Sequence, residues 1–275
     1  MASKKQSAIN VLIIGGGNMG KAITQILSQN GWAGRVILAV KNRKQQQALA
    51  NIFLPKVEVV VGSREYLATV QVIIVAVKPQ NVPDLYPQLR GRISAETLVI
   101  SIAAGIKLQS LQAGFEHQRI IRSMPNTPAR IGQGVTVWLR SAEVTQEQLK
   151  LARQIFALWG KECEVQKEKL IDVATAVFGS GPAYVCQIVE SVIDGAVMLG
   201  FPWSRVRELV IQTFKGALAL AELAPEKHLA QLRDEVTSPG GTTVEALYVF
   251  DRRGLAACLK EGIKAAFDKA QLLGA

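Results

Sequence analysis

Residues 15–20 read Gly-Gly-Gly-Asn-Met-Gly. The pattern is GxGxxG, set between an aliphatic run, Ile9–Ile14, and a stretch with helical spacing, Asn18–Gln29. The chemistry this spacing serves is the binding of a pyrophosphate. Gly15 allows a tight turn, Gly17 lets the backbone approach the ligand, and Gly20 lets helix and strand pack closely. Asn18 and Met19 complete the loop as the helix begins, where free N–H groups and the positive end of the helix dipole meet the phosphates. Glycine-rich turns are common, so the motif draws its weight from its strand–turn–helix setting in the chain's first βαβ unit. That setting predicts a dinucleotide.

Which dinucleotide is decided at the end of the second strand, about 20 residues further on, where an acid usually meets an unphosphorylated ribose. This chain presents Lys41-Asn42-Arg43-Lys44 there and has no acid before Glu58. A carboxylate would repel a 2′-phosphate, whereas Arg43 offers a bidentate fork and the lysines add charge. An exposed basic helix start would look the same. Asn42, Arg43 and Lys44 are expected to serve the phosphorylated cofactor, NADPH, with NADH the poorer substitute.

A second segment with chemical promise is Val236-Thr-Ser-Pro-Gly-Gly-Thr-Thr-Val-Glu245. Two glycines leave its backbone open to a ligand, and a helix is expected to start directly after them. Thr242 followed by Glu245 matches a capping box, with Thr242 at the N-cap and Glu245 three residues on. If Thr242 is the cap, the hydroxyl of Thr243 is the freer one. Such a loop can hold a small carboxylate through N–H groups and hydroxyls; a plain turn before a helix is the bland alternative. The two histidines offer little by comparison. His117 reads as a loop residue and His228 as part of an exposed helix, and neither has a carboxylate or nucleophile beside it, so a histidine acid–base pair is not expected. No HExxH or cluster of carboxylates points to a metal.

The elements that must position these residues fall into two patterns. Up to about residue 165 short aliphatic runs alternate with helical stretches. Strands are expected at 9–14, 36–40, 57–61, 72–77, 97–102, 120–122, 135–139 and 162–165, with helices over 18–29, 44–51 and 145–158. The strands are nearly continuous Val, Ile and Leu, as befits a sheet covered on both faces. This predicts an α/β chain whose N-terminal part is a Rossmann-type, doubly wound, mostly parallel sheet. After Lys167 strand signals nearly vanish. Helices are expected at 182–199, with Gly181 as its cap and Pro182 in first position, at 202–223 and at 255–272. The expected division is therefore a disordered leader over 1–8, a dinucleotide-binding domain over 9–166 and an all-helical domain over 167–275. The 182–199 helix is apolar around much of its circumference, which fits burial against a second subunit or core packing within one.

The formal net charge is +10, from 32 basic and 22 acidic residues. Nucleic acid is not an expected partner, because the basic residues are scattered and Lys41–Lys44, the one tight cluster in the folded chain, has no aromatic residues interleaved. The run after the basic leader is too short and polar for a signal peptide, and no segment has the roughly 18 unbroken apolar residues of a membrane span. A cytoplasmic protein without a membrane partner is expected. Cys163, Cys186 and Cys258 are odd in number and form no CxxC, so neither a disulfide framework nor a zinc site is expected.

Six stretches in order give the chain a likeness over nearly its whole length: Ile14–Gly20 (IGGGNMG), Val75–Gln80 (VAVKPQ), Ser101–Gly105 (SIAAG), Ser123–Ala129 (SMPNTPA), Gly179–Tyr184 (GSGPAY) and Leu232–Thr243 (LRDEVTSPGGTT). They resemble Δ1-pyrroline-5-carboxylate reductase, the last enzyme of proline synthesis. The resemblance implies a Rossmann domain followed by a helical dimerisation domain, with homodimers that can assemble further into decamers. It implies hydride transfer from NADPH to the C=N carbon of a cyclic imino acid. Ser238 and the backbone of Gly240, Gly241, Thr242 and Thr243 would hold the substrate carboxylate. Thr243 would hydrogen-bond the ring nitrogen and aid proton delivery. Ala76, Val77, Lys78, Pro79, Ala103 and Ala104 would line the cofactor, Lys78 mainly through its backbone, with Pro125 and Asn126 close to the nicotinamide. The chain departs from the family at Phe178, Arg130 and Gln133, and at Gly20, where alanine is common. Two other readings fare worse: a β-hydroxyacid dehydrogenase would carry a catalytic Lys and an Asn within Gly179–Glu190, which has neither, and a non-catalytic paralogue would have lost the SPGGTT loop.

Overall fold

The computed structural model describes residues 9–273, so the leader expected over 1–8 lies outside the described residues. The chain begins with β1 (Ile9–Ile14), α1 (Asn18–Gln29), β2 (Ala33–Val40), α2 (Arg43–Phe53), β3 (Glu58–Val61) and β4 (Val72–Val75). Short 3₁₀ turns lead into α3 (Tyr86–Leu89), followed by β5 (Leu98–Ser101), α4 (Leu108–Phe115), β6 (Ile120–Pro125), β7 (Gly134–Arg140), α5 (Gln146–Trp159) and β8 (Gly160–Glu164). Helices follow without further strands: α6 (Lys169–Ala174), a π-helical turn (Thr175–Gly179), α7 (Gly181–Met198), α8 (Trp203–Leu223), α9 (Leu229–Glu235), α10 (Thr242–Arg252) and α11 (Leu255–Leu273).

The eight strands form one sheet in the order β3-β2-β1-β4-β5-β6-β7-β8. All neighbours are parallel except β6 and β7, which run antiparallel. The sheet is therefore doubly wound and mostly parallel, as the alternating pattern predicts. Its strands are apolar on both faces because both faces are covered. Val11 and Ile13 of β1 pack with Ile23 and Leu27 of α1, Leu49 and Phe53 of α2, and Ile155, Phe156 and Trp159 of α5. Leu12 and Ile14 point the other way and join Leu85, Leu89, Leu111 and Phe115. A continuous apolar run thus splits by alternate residues between two cores, which explains its lack of visible period.

Among the described residues two compact units emerge: 9–180 with 266–273, and Gly181–Ala265. Strands end at Glu164, near where the sequence pattern changes. In the second unit Ile193 of α7 packs with Val206 and Val210 of α8, with Val189 and Phe214 beside them. Among the described residues of this unit no other large aliphatic side chain is buried, and Met198, Leu199 and Leu223 are each more than 80% exposed. Core packing within the subunit therefore does not account for the apolar circumference of α7. Gly181 opens α7 instead of capping it. By length and composition alone the helical stretch Lys169–Met198 would suffice to cross a membrane, although charged residues interrupt it.

Candidate functional site

The glycine loop is packed so closely that a side chain at either of two of its glycines would run into backbone. Gly15 has φ +119°, and a Cβ there would lie 2.6 Å from the Ala76 carbonyl oxygen. At Gly20 a Cβ would lie 1.8 Å from the carbonyl oxygen of Gly15, so even an alanine there would force the loop to shift. Gly17 is different: nothing lies within 4 Å of where its Cβ would be. It is the N-cap of α1, no side chain caps the helix there, and the first turn holds no acid. The unpaired N–H groups that every helix start carries are thus left for a ligand.

Six parallel strands, β1 to β6, end at one edge of the sheet, and the loops after them open there together. Because β1 has β2 on one side and β4 on the other, the winding reverses at the glycine loop, the position where such sheets bind ligands. A cavity of about 510 Å³ lies at this edge. Of the residues expected at the cofactor, Gly15, Gly17, Ala76, Val77 and Lys78 line it, and Lys41 joins them. Asn42, Arg43 and Lys44 are exposed beside Lys41 at the start of α2, outside the lining. The side-chain oxygen of Asn42 is already committed, accepting from the Gln45 N–H at 3.0 Å as the α2 cap. Asn18, Met19 and Gly20 form the first turn of α1, and Pro79 opens a 3₁₀ turn.

Sequence reasoning missed Gln45 and Ser63, both of which line the cavity. The Gln45 amide donates to the Gly16 carbonyl at 3.3 Å and accepts from the Lys41 N–H at 3.4 Å, tying the glycine loop to the end of β2. The signal was present as Asn42-x-x-Gln45, a cap pattern overlooked beside the charges. Buried Ser63 opens a 3₁₀ turn after β3 and has no such signature.

Further along the same edge, Ala103 and Ala104 follow β5, Pro125 ends β6 and Asn126 follows it. Two buried serines join these strand ends: Ser123 donates to the Ser101 carbonyl at 3.1 Å, and the Ser101 hydroxyl accepts from the Ala103 N–H at 3.3 Å. The side chain of Asn126 accepts from the Val135 N–H and donates to the Phe178 carbonyl.

In the helical unit, Ser238–Gly241 is a tight turn closed by the Gly241 N–H to the Ser238 carbonyl at 3.0 Å. Pro239 stands second and Gly240, with φ +69°, third, which is the residue order of a type II turn. A Cβ on Gly241 would collide with the Ser238 hydroxyl at 2.5 Å, so that hydroxyl lies over the start of α10. The expected capping box is absent. Gly241, extended at φ −83° and ψ 169°, is the N-cap, Thr242 is the first helical residue, and no side chain caps the helix. The turn before it supplies the extended cap residue, so Thr-x-x-Glu falls one position too late. Both threonine hydroxyls stay out of the cap, Thr242 exposed and Thr243 half-buried.

The histidines have structural duties. His117 is buried, its ring 2.8 Å from the Thr97 carbonyl, and burial lowers its pKa below the usual 6.5 although that hydrogen bond opposes the shift. His228, expected within an exposed helix, instead caps α9 from just outside, its Nδ1 accepting from the Ala230 N–H at 3.1 Å. Among the described residues no three His, Cys, Asp or Glu gather as metal ligands.

Two family models match the chain. One, pyrroline-5-carboxylate reductase dimerisation, covers residues 168–273. The other, NADP oxidoreductase coenzyme F420-dependent, covers residues 10–105. A pyrroline-5-carboxylate reductase of Synechocystis is 37% identical, the alignment spanning 97% of this chain and 99% of that protein. The crystal structure of the Plasmodium falciparum pyrroline carboxylate reductase with NADP bound superposes with a TM-score of 0.85 at 27% identity, covering 97% of this chain and 98% of that one. A Coxiella burnetii pyrroline-5-carboxylate reductase structure gives the same TM-score at 30% identity, covering 98% and 100%.

Proposed function

Since the chain belongs to the pyrroline-5-carboxylate reductase family and is an NAD(P)H-dependent oxidoreductase, we propose specific tasks for its residues in reducing 1-pyrroline-5-carboxylate to L-proline. The observation that carries this reading is a shared local design. Two long helices, α1 and α10, start at a glycine with no side-chain cap, so each offers backbone N–H groups to an anion.

At α1 the anion is the cofactor pyrophosphate, with Gly15, Gly17, Asn18, Met19 and Gly20 shaping its seat. Arg43 and Lys44, with the helix-capping Asn42, meet the 2′-phosphate, which makes NADPH the preferred cofactor over NADH. Ala76–Pro79, Ala103, Ala104 and Pro125 line its path along the sheet edge. When bound, NADPH supplies the hydride. At α10 the anion is the substrate carboxylate, held by the Ser238 hydroxyl and the N–H groups of Gly240–Thr243. The Thr243 hydroxyl hydrogen-bonds the ring nitrogen, which gains the proton while the neighbouring carbon gains the hydride. With positioning and charge doing most of the work, the lack of a histidine acid–base pair is no obstacle.

The match to the dimerisation model indicates an oligomer. We infer a homodimer that can build to a decamer, in which the exposed apolar residues of the helical unit are covered by another copy. On this reading the α7 part of that stretch, Gly181–Met198, belongs to an assembly face in a cytoplasmic enzyme and not to a membrane. By task the division is then 9–166 for the dinucleotide and 167–275 for dimerisation and substrate, although by packing residues up to Ser180 and those from Ala266 on belong with the sheet.

Purified protein should oxidise NADPH in the presence of 1-pyrroline-5-carboxylate and form proline in equal amount, more slowly with NADH. NADPH oxidation without proline, or no oxidation at all, would reject the assignment.

A further inference from the structure

Asn126 spends both halves of its amide on the protein backbone. Its Oδ1 accepts from the Val135 N–H at 2.9 Å, and its Nδ2 donates to the Phe178 carbonyl at 3.2 Å. The partners dictate the amide's orientation, because an N–H can only donate and a carbonyl only accept. Both partners need it. The β6–β7 ladder ends at the pair Pro125–Thr136, so Val135 lies one step beyond the last paired residue. The Phe178 carbonyl precedes Pro182 by four residues, and a proline nitrogen has no hydrogen to give it. The turn between them is π-helical instead, closed by the Ser180 N–H to the Thr175 carbonyl at 3.0 Å.

Other contacts join the same two pieces of chain. Buried Arg122 pairs with Glu168 and Asp172, each at 2.8 Å. A Cβ on Gly179 would come within 2.6 Å of Met124 Cε, so the two backbones are moulded together there. Residues 122–126 thus grip residues 168–179 by an ion pair at one end and an amide at the other.

The geometry points to Asn126 as a positioning residue for the reduction: its amide clamps the loop after β6 to the π-helical turn Thr175–Gly179, and hydride transfer depends on that clamp and not on an amide–cofactor contact. The inference rests on the proposed function in placing the nicotinamide near Pro125. Asparagine suits the task because it accepts on one side and donates on the other within a short reach. An aspartate keeps the acceptor for Val135 but donates to Phe178 only while protonated. Ionised, it sets two oxygens against each other, which holds the protonated form favoured. Its contribution is therefore present at low pH and lost as pH rises through the introduced carboxyl's pKa.

The test compares Asn126→Asp and Asn126→Ala with wild type from about pH 8 down to about pH 5, reading kcat, KM for NADPH and melting temperature. At the high end kcat of Asn126→Asp should be about 10-fold low with KM nearly unchanged, since a displaced loop impairs alignment more than affinity. The deficit in kcat, and with it the melting temperature, should shrink as the pH falls, whereas Asn126→Ala stays low throughout. A flat ratio for Asn126→Asp in both readouts overturns the clamp, as does wild-type kcat in Asn126→Ala. A loss confined to KM overturns it too, by making the amide a cofactor ligand. If wild type reduces no imine, the functional reading fails separately, and the melting trend decides the clamp.

Discussion

In the dinucleotide-binding unit Val11, Leu12 and Ile13 of a single strand are fully buried, and so are Trp138, Phe156 and Trp159 beyond them. In the helical unit, three large aliphatic residues are buried, Ile193, Val206 and Val210, while Leu218, Leu220 and Trp203 stand more than 60% exposed. The sequences of the two are comparably apolar; what differs is how many layers each can build. A sheet with helices on both faces buries its central strands entirely within one chain. Helices whose apolar faces find too few partners leave side chains in water, each forgoing about 1.5–3 kcal/mol that burial would contribute. The first unit is complete as a single copy. The second leaves most of its large apolar side chains uncovered in a single copy.

The largest expected effect breaks this contrast where it is sharpest. Val192→Glu combined with Leu218→Glu places carboxylates on exposed apolar positions of α7 and α8. Burying them unpaired in an assembly should weaken association by about 1,000-fold or more, seen as smaller particles in sedimentation. Ile52→Glu, at a residue 66% exposed on α2, should leave the particle size unchanged. A double variant that still sediments as wild type would show that the apolar face is not what joins the copies.

A second pair of substitutions asks whether the units divide the chemistry as they divide the packing. Thr243→Ala should lower kcat by about 10- to 1,000-fold, the range for a lost positioned donor or proton relay, with NADPH affinity kept. Arg43→Ala should raise KM for NADPH by about 10-fold and affect NADH less. Steady-state kinetics with both cofactors separates the outcomes. Equal losses for NADPH and NADH in Arg43→Ala would move the 2′-phosphate elsewhere.

The smallest effect concerns the sheet unit alone. Because the folded-state pKa of His117 lies below 6.5, the unfolded chain binds its proton first as pH falls. The buried neutral ring therefore stabilises above that value, and the benefit declines as pH drops below it. His117→Gln keeps an N–H for the Thr97 carbonyl and should flatten the fall in melting temperature between about pH 7 and pH 5. An unchanged slope would place that pH sensitivity in other groups.

The sheet was legible because its signals are local. The bounds of β1 and α1 follow from a continuous aliphatic run, a glycine turn and a 3.6-residue period. The antiparallel turn into β7 was not, since a strand buried on both faces reads the same in either direction. Short α4 has no side-chain cap at Lys107, and the π turn has no composition of its own, so neither carries a signal in the sequence. At the candidate site the glycines declared themselves through spacing. Gln45 and the double duty of Asn126 did not, for their hydrogen bonds join residues distant in sequence or hide beneath a stronger charge signal. The misplaced cap at Thr242 shows the converse hazard: Thr-x-x-Glu fits two frames one residue apart, and only the Pro239–Gly240 turn decides between them.

If another copy completes the core of the helical unit, as proposed, folding and assembly become one equilibrium. Mass action then acts on the helical unit: dilution thins its population of finished cores, while crowding like chains together restores them. Its melting point should climb with the logarithm of protein concentration, and an assay run at very low enzyme would measure dissociation before it measured turnover.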